Sequence, residues 1–228
     1  MFNTSTIPYE LLQTKGRGVK VGVCDTGCDI RHEAISHAIK GYKSFFETQT
    51  DHNQHGTHVC GIIAGRGKVR GIAPNCELYV AKTMSGRESH PSYFIKALDW
   101  MIEKQVDVIN LSFAFNRQNI DIYDKICELT NNKVIVNAAF TRDLKYPHSY
   151  DEVISVSGYD KGEVIRGGKI DILAPANIFS ASPNQTYRFD RGTSMSTAYI
   201  TGIAALAKSC YGKDMGKEEF ISALKNPL

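Results

Sequence analysis

The chain has 228 residues, of which 42% are apolar, and this size and composition suit one globular domain, expected over 1–228, with a sizeable core. Its formal net charge of +3 is spread along the chain without a Lys/Arg cluster long enough to follow a phosphate backbone, which argues against a nucleic-acid partner. No apolar stretch is long enough to span a bilayer and the N-terminus lacks a secretory signal, so we expect a cytoplasmic protein with no membrane partner.

Short apolar runs alternate with helical patterns along the chain. The predicted strands, in chain order, are residues 19–24, 77–82, 106–112, 133–139, 153–157 and 171–175. The predicted helices are residues 9–14, 92–104, 121–131, 194–209 and 217–224. Continuous apolar strands are typical of a buried parallel sheet. The alternation therefore predicts an α/β protein, a three-layer αβα sandwich with a mainly parallel central sheet.

The six cysteines are even in number but do not form the dense, loop-rich pattern of a disulfide framework. Most of them lie in apolar strands and helices. Cys24 and Cys28 are separated by three residues, which differs from the CxxC spacing of common zinc and redox sites. We expect reduced, mostly buried thiols.

The first motif that can carry chemistry is VGVCDTG, in which Asp25 follows a predicted strand and Gly27 allows a sharp turn. In a parallel sheet, chemistry gathers beyond the carboxyl ends of the strands, and Asp25 is predicted to lie there. Taken alone the signal is weak, because an acidic residue at a strand end is more often a helix cap or a turn former.

The second motif, HNQHGTHVCGIIAG, places His55 at the start of a predicted helix. His52, His55 and His58 resemble a set of metal ligands, but residues spaced i, i+3 and i+6 do not share one helix face. Zinc-binding helices prefer the i, i+4 spacing of HExxH. We therefore expect no metal, and we interpret His58 as a buried structural histidine.

The third motif, RGTSMSTAYITGIAAL, places Ser194 at the beginning of a helix rich in small apolar residues. A serine at this position is usually an N-cap. The backbone N–H groups of a helix start also favour a developing negative charge beside the serine, as an oxyanion hole does. Together the three motifs supply an orienting carboxylate, a base and a nucleophile. Their order along the chain, Asp25, His55 and Ser194, is one of the three orders known for such triads.

Taken together, these and further motifs make the sequence resemble the subtilases, and within that family the intracellular subtilisins. The resemblance rests, in this order, on VGVCDTGCDIRHEAI, HGTHVCGIIAG followed by GIAPNCELYVAK, VDVINLS, YPHSYDEVISVSGYD, ILAP and GTSMSTAYITGIAAL, and it extends over most of the chain, from about residue 8 to residue 224. It implies the subtilisin-like fold and a serine endopeptidase that forms an acyl-enzyme on Ser194. Such an enzyme is expected to need no cofactor, and its expected partner is a protein or peptide substrate.

The resemblance also implies where the substrate lies. An extended peptide would add a strand along Ser112, Phe113 and Ala114, and the first specificity pocket would lie beside Ala138, Ala139 and Phe140.

The sequence departs from the family at several of these positions. Subtilases usually read AAGN where this chain reads AAFT, so Phe140 replaces a glycine and Thr141 replaces the asparagine that donates to the oxyanion. Losing such a donor typically costs on the order of a hundred- to a thousand-fold in turnover. Thr141 and the Thr193 hydroxyl are the remaining side-chain candidates. Because the pocket also loses glycines, we expect a slow or narrowly specific enzyme.

Two family features are also absent from the sequence. The segment AGRGKVRGIAP offers glycine and positive charge where secreted relatives have a calcium-binding loop, so no metal is expected there. We also expect no pro-domain before the motifs, and the short C-terminal end is compatible with a homodimer.

Three alternatives remain open. An aspartic protease would use two DTG loops, and this chain has one, which leaves HGTH and GTSMS unexplained. A catalytically weak or inactive peptide-binding pseudoprotease is favoured by Thr141 and by Ala198, which replaces a family proline. Within the enzyme interpretation, general protein turnover and one specific cut, such as removal of a leader peptide, are not distinguished.

Overall fold

A computed structural model of the protein describes residues 2–3, 7–46, 48–86, 88–143 and 145–225. The helices in these ranges are α1 (Tyr9–Thr14), α2 (His55–Ala64), α3 (Pro91–Lys104), α4 (Ile120–Asn131), α5 (Thr193–Tyr211) and α6 (Lys217–Lys225). The strands are β1 (Phe2–Asn3), β2 (Lys20–Asp25), β3 (Ile39–Ser44), β4 (Glu77–Lys82), β5 (Met84–Ser85), β6 (Glu88–Ser89), β7 (Val108–Leu111), β8 (Ile135–Ala139), β9 (Ile154–Asp160), β10 (Glu163–Val164), β11 (Ile172–Pro175), β12 (Asn177–Ser182) and β13 (Thr186–Arg191).

Most of the strands form one central sheet in the order β1-β11-β9-β8-β7-β2-β4-β3, with β10 added to β9. Every neighbouring pair along this order is parallel, and only the β9–β10 pair is antiparallel. All six strands predicted from the sequence lie in this sheet. The predicted α/β fold with a mainly parallel sheet is therefore confirmed.

The sheet separates two hydrophobic clusters. On one face α2 and α5 pack through residues such as Val59, Ile63 and Ile203, and on the other face α3 and α4 pack through residues such as Leu98 and Ile126. Helix α5 is buried almost all round, from Met195 to Lys208, because it lies against five strands of the sheet and against α1 and α2. A layer of helices therefore covers each side of the sheet.

The carboxyl ends of the central strands meet at one edge of the sheet. Strand β2 ends at Asp25, β4 ends at Lys82 and β7 ends just before Ser112. Their parallel register aligns Asp25 with Lys82 and Cys24 with Leu111. Helices α2 and α5 begin at His55 and Thr193, and the site described below lies where these helix starts meet the strand ends.

A two-stranded antiparallel hairpin, β12–β13, lies outside the central sheet and packs on α2. The Ser180 hydroxyl donates to the His58 carbonyl oxygen at 2.8 Å, and His58 Nε2 lies 3.2 Å from the Arg188 carbonyl oxygen. His58 is fully buried, so this contact gives it the structural place predicted for it. Among the described helices, none combines the length and apolar character that crossing a membrane requires.

Candidate active site

Asp25 is fully buried at the end of β2. Its Oδ1 atom accepts a hydrogen bond from the Thr26 backbone N–H at 2.7 Å and lies 2.7 Å from His55 Nδ1. Its Oδ2 atom is buried and has no hydrogen-bond partner among the described residues. A buried carboxylate in this arrangement fixes both the orientation and the tautomer of the imidazole it contacts.

His55 is the first residue of α2 and follows Gln54, whose φ of 64° starts the helix with a sharp change of direction. The next residue, Gly56, lets α2 approach the loop after β2, because a Cβ atom there would lie 1.9 Å from the Gly27 carbonyl oxygen. Burial opposes the charged imidazole, but the charge and hydrogen bond of Asp25 outweigh it and raise the pKa of His55 above its ordinary 6.5. More distant charges on Asp190 and Asp51 act in the same direction.

Ser194 is the second residue of α5 and is held by a reciprocal pair of contacts with Ser112. The Ser194 hydroxyl donates to the Ser112 carbonyl oxygen at 3.2 Å, and the Ser112 hydroxyl donates to the Ser194 carbonyl oxygen at 3.3 Å. Among the described contacts, there is no hydrogen bond between the Ser194 hydroxyl and the His55 ring. The structure thus brings Asp25 and His55 into contact, and Ser194 is anchored at the end of β7, the strand next to β2.

Below this contact, buried polar groups continue into the core. Asn110 Nδ2 donates to the Ser112 hydroxyl at 2.9 Å, and the Thr201 hydroxyl donates to Asn110 Oδ1 at 3.1 Å. The Ser194 backbone N–H lies in the first turn of α5 and makes no hydrogen bond within the described residues, as expected for the first donors of a helix. It is available to a negative charge that forms beside Ser194.

The segment Ser112–Ala114 continues β7 beyond the edge of the sheet. In the described part of the chain, its N–H and C=O groups make no backbone–backbone hydrogen bonds, whereas Phe115 pairs in both directions with Tyr146. The Phe113 ring is turned into the core, where it packs edge-on against Phe94 at 5.0 Å. A backbone whose N–H and C=O groups are not paired with a neighbouring strand can pair with an added extended strand.

Phe140 and Thr141 follow β8, whose last residues, Ala138 and Ala139, are buried. The Phe140 ring is 2% exposed, packs against His148 at 5.3 Å and lies so close to Gly167 that a Cβ atom there would be 2.2 Å from its Cζ. Space beside the end of β8 is thus occupied by a side chain. The Thr141 hydroxyl lies 3.0 Å from His148 Nε2.

Thr141 and Thr193 differ in their surroundings. The Thr141 hydroxyl also lies 3.4 Å from the Asp143 carbonyl oxygen, so both of its neighbours belong to its own loop. Thr193 is partly buried at the first position of α5, and its carbonyl oxygen accepts the Thr197 hydroxyl at 2.8 Å. Of the two threonines, only Thr193 lies on the same helix turn as Ser194.

The histidines of the second motif do not converge. His52 Nε2 lies 2.6 Å from the Thr50 hydroxyl, His55 faces Asp25 and His58 faces Arg188. Within the described ranges there is no group of three or more His, Cys, Asp or Glu side chains arranged to hold a metal ion. All six cysteines are free, and four of them are buried.

Two buried charged residues near Asp25 were missed from the sequence. Asp51 is 5% exposed and accepts three hydrogen bonds, and Lys82 is 1% exposed at the end of the strand beside β2. The signal for Lys82 was available, since Asp25 and Lys82 each end an apolar strand with a charge. Asp51 lies in a polar stretch and gives no such signal.

Comparison with known proteins agrees with this geometry. A family model described as the Subtilase family matches residues 16–226. The chain belongs to the subtilase family. The major intracellular serine protease of Bacillus subtilis (strain 168) is 33% identical over 222 residues, covering 86% of this chain and 70% of that protein.

Two further relatives of this subtilase are similar to the same extent. The intracellular serine protease of Paenibacillus polymyxa is 31% identical over 242 residues, covering 93% of this chain and 74% of its own. Subtilisin DY of Bacillus licheniformis is 31% identical over 218 residues, covering 86% of this chain and 79% of its own. The subtilase described here is a serine-type endopeptidase, and its substrates are proteins or peptides.

Proposed function

We propose that this subtilase cleaves peptide bonds through Asp25, His55 and Ser194 by way of an acyl-enzyme. The observation that carries the proposal is the 2.7 Å contact between His55 Nδ1 and a fully buried Asp25 carboxylate. This contact leaves the other ring nitrogen, Nε2, as the base. Ser194, anchored on the neighbouring strand end, is the nucleophile.

The Ser194 hydroxyl first turns from the Ser112 carbonyl oxygen towards His55, because its proton points to Ser112 in the free enzyme. Nε2 then takes that proton while Oγ attacks the scissile carbonyl carbon. When the carbon–nitrogen bond breaks, the imidazolium gives the proton to the leaving amine. Water deprotonated by His55 releases the acyl group from Ser194 and restores the hydroxyl.

The negative charge that forms on the substrate oxygen is stabilised by donors at the start of α5 and the end of β8. The Ser194 N–H is the backbone donor, and Thr193 and Thr141 are the side-chain donors in this proposal. Thr141 is the weaker of the two, because its hydroxyl already contacts His148 and Asp143. A weak second donor supports a slow enzyme, since one such donor is worth roughly a hundred- to a thousand-fold in turnover.

The substrate pairs with Ser112, Phe113 and Ala114 as an added strand, a role supported by the lack of backbone–backbone hydrogen bonds in this described segment. The residue before the cut lies beside Ala138, Ala139 and Phe140. Because the buried Phe140 ring occupies space there, this residue is small and the enzyme is narrowly specific.

A second candidate is a catalytically weak or inactive subtilase that binds peptides without cutting them. The engagement of the Thr141 hydroxyl by His148 favours it. The two candidates differ in whether Ser194 is activated, which a mechanism-based reagent detects directly.

The decisive experiment is labelling of the purified protein with a fluorophosphonate, followed by mass spectrometry of the modified peptide. We expect one label on Ser194, lost in Ser194→Ala and strongly reduced in His55→Ala. Labelling that persists in His55→Ala, or that is absent from the wild type, would contradict the proposed triad. Absent labelling of a folded wild type that still binds extended peptides would identify the peptide-binding alternative.

The proposal also covers the cellular location, the domain extent and the assembly state of the protein. Two relatives are named as intracellular proteases, and by analogy we place this subtilase in the cytoplasm as one domain over 1–228, whose ends lie outside the described residues. It works without a cofactor, nucleic acid or membrane, either as a monomer or as a homodimer. A cleavage profile over a peptide library separates general turnover from one specific cut, such as leader removal.

A further inference from the structure

A buried network joins the loop after β2 to the first turn of α2. The Asp51 carboxylate accepts the Thr26 hydroxyl at 2.7 Å, the Thr57 hydroxyl at 2.6 Å and the Thr57 backbone N–H at 2.8 Å. The Thr26 hydroxyl in turn accepts the Gly56 N–H at 3.0 Å. Two of the free N–H donors at the start of α2 are thus satisfied by Asp51 and Thr26, the residues that flank the His55–Asp25 contact.

A buried cation lies at the same place. Lys82 pairs with Asp25 in the parallel register of β2 and β4, and its Nζ donates to the Thr26 carbonyl oxygen at 2.6 Å and to the Met84 carbonyl oxygen at 3.2 Å. Its side chain is 1% exposed. Burial lowers the pKa of Lys82, whereas the charges of Asp51 and Asp25 oppose that change and favour the ammonium form.

We propose that Asp51 and Lys82 are positioning residues for the His55–Asp25 pair. They hold the Thr26 loop against the first turn of α2, and they set the buried charge against which His55 gains its proton. Two carboxylates and one ammonium leave one excess negative charge beside a neutral His55. Proton transfer from Ser194 to His55 cancels that excess, so the network stabilises the charged intermediate of the reaction. The inference rests on the role of His55 proposed above.

The charged and titratable groups around His55 come from five parts of the chain. They are Asp25 on β2, Asp51 before α2, His58 on α2, Lys82 on β4, and Arg188 with Asp190 on β13. Arg188 and Asp190 form a salt bridge of 2.7 Å with both side chains about one third exposed, and Asp190 also raises the pKa of His55. Burial and the neighbouring Arg188 and His55 lower the pKa of His58, so it is neutral when His55 titrates. Apart from Asp25 itself, Asp51 and Lys82 are the buried charged side chains of this set, and they are therefore the ones to change.

The two residues should act in opposite directions. Removing the negative charge in Asp51→Asn lowers the pKa of His55, so its neutral, active form persists to lower pH. Removing the positive charge in Lys82→Met leaves Asp25 and Asp51 less compensated and raises the pKa of His55. Each shift should be about half a pH unit or more, as expected for a charge within roughly 10 Å in a protein interior.

The experiment measures the rate constant of fluorophosphonate labelling of Ser194 from pH 5 to pH 9. The midpoint of its acidic limb reports His55. We expect this midpoint to fall in Asp51→Asn, to rise in Lys82→Met and to return towards the wild-type value in the double variant. Asp99→Asn and Lys96→Met make the same charge changes at exposed positions of α3 and serve as matched controls with unshifted midpoints.

A merely structural role lowers the labelling rate without moving the midpoints in opposite directions, and that result would overturn the inference. If one single variant fails to fold, the other still tests the predicted sign. A second readout is the NMR titration of the His55 imidazole in Ser194→Ala, with the same charge substitutions added. It separates the two proposals, because absent labelling counts against the triad, whereas an unchanged His55 titration counts against the network.

Discussion

His55 is the residue at which burial and charge oppose each other. Burial favours the neutral imidazole, but the Asp25 carboxylate at 2.7 Å favours the imidazolium and raises the pKa above 6.5. A base must be neutral to take the Ser194 proton, so activity is lost as the pH falls through this raised pKa. We expect the acidic limb of kcat/KM to have its midpoint above pH 6.5. In Asp25→Asn the residual activity should be about ten-thousand-fold lower. A wild-type midpoint below 6.5, measured with a peptide substrate, would contradict this reasoning.

Thr141 is the residue that we expect to limit turnover. Its hydroxyl carries one proton and lies beside the Asp143 carbonyl oxygen and His148 Nε2. An asparagine amide carries two N–H donors on a longer side chain, so Thr141→Asn should raise kcat by about tenfold or more. Thr141→Val, which removes the hydroxyl but keeps the shape, should change kcat only a few-fold. Steady-state kinetics of both variants provide the check, and an Asn variant no faster than the wild type would be evidence against this assignment.

Functional residues that belong to a short, contiguous sequence motif could be predicted from the sequence. Asp25 and His55 follow from VGVCDTG and HGTH, and the structure brings the two into contact. The surroundings of Thr141 could not be predicted, because His148 lies in a loop whose path depends on packing around Phe140. Asp51 was missed for a similar reason, since its hydrogen-bond donors are separate in sequence.

Helix α2 depends on one close backbone approach. At Gly56 an added Cβ atom would lie 1.9 Å from the Gly27 carbonyl oxygen and 3.2 Å from Asp25 Oδ1, and a backbone oxygen cannot rotate away. Gly56→Ala should therefore move α2 away from β2, break the His55–Asp25 contact and lower kcat/KM by about a hundred-fold or more. Thermal unfolding and peptide kinetics measure the two effects.

Gly168→Ala is the matched control for this substitution, because nothing lies within 4 Å of an added Cβ atom there. It should leave both unfolding temperature and kcat/KM close to those of the wild type. Equal behaviour of the two alanine variants would show that the α2 start tolerates displacement.

Elements with a continuous apolar pattern could be predicted, and elements held by distant contacts could not. The strand at Ile135–Ala139 and the helix at Tyr9–Thr14 lie where the sequence places them. Strand β3 was missed because Ile39–Ser44 contains two lysines and a glycine, and its place is set by pairing with β4. Hairpin β12–β13 was missed because its exposed Phe179 and Phe189 do not follow a core-facing pattern.

At the scale of the whole molecule, one buried lysine ammonium group lies near each end of the central strands within the part of the chain that the structure describes. Lys82 lies at the carboxyl edge, beside the proposed triad. Lys208 lies near the opposite edge, where its Nζ donates to the Lys133 carbonyl oxygen at 2.7 Å and to the Lys213 carbonyl oxygen at 2.6 Å. Both cations bind main-chain carbonyl oxygens, which otherwise would lack donors. Lys82 has two buried carboxylates near it, whereas Lys208 has mainly Asp107. The ammonium form of Lys208 is therefore less strongly stabilised by neighbouring negative charge.

Burial lowers the pKa of Lys208 from 10.5 to about 8, more than the charge of Asp107 offsets. Below pH 8 both the folded and the unfolded chain carry this proton, and the folded state bears the full cost of the buried charge. Between pH 8 and 10.5 the unfolded chain binds more protons than the folded chain, so this group makes stability rise with pH. The rise is at most about 3 kcal/mol for a shift of this size.

Lys208→Met removes this contribution, so its free energy of unfolding should fall relative to that of the wild type as the pH increases from 8 to 10. Denaturant unfolding at several pH values in this range measures the difference between the two proteins. Lys96→Met changes an exposed lysine of α3 and should keep the wild-type slope. A parallel pH dependence for Lys208→Met and the wild type would mean that Lys208 titrates as it does in water, with its ammonium group hydrated despite its place in the core.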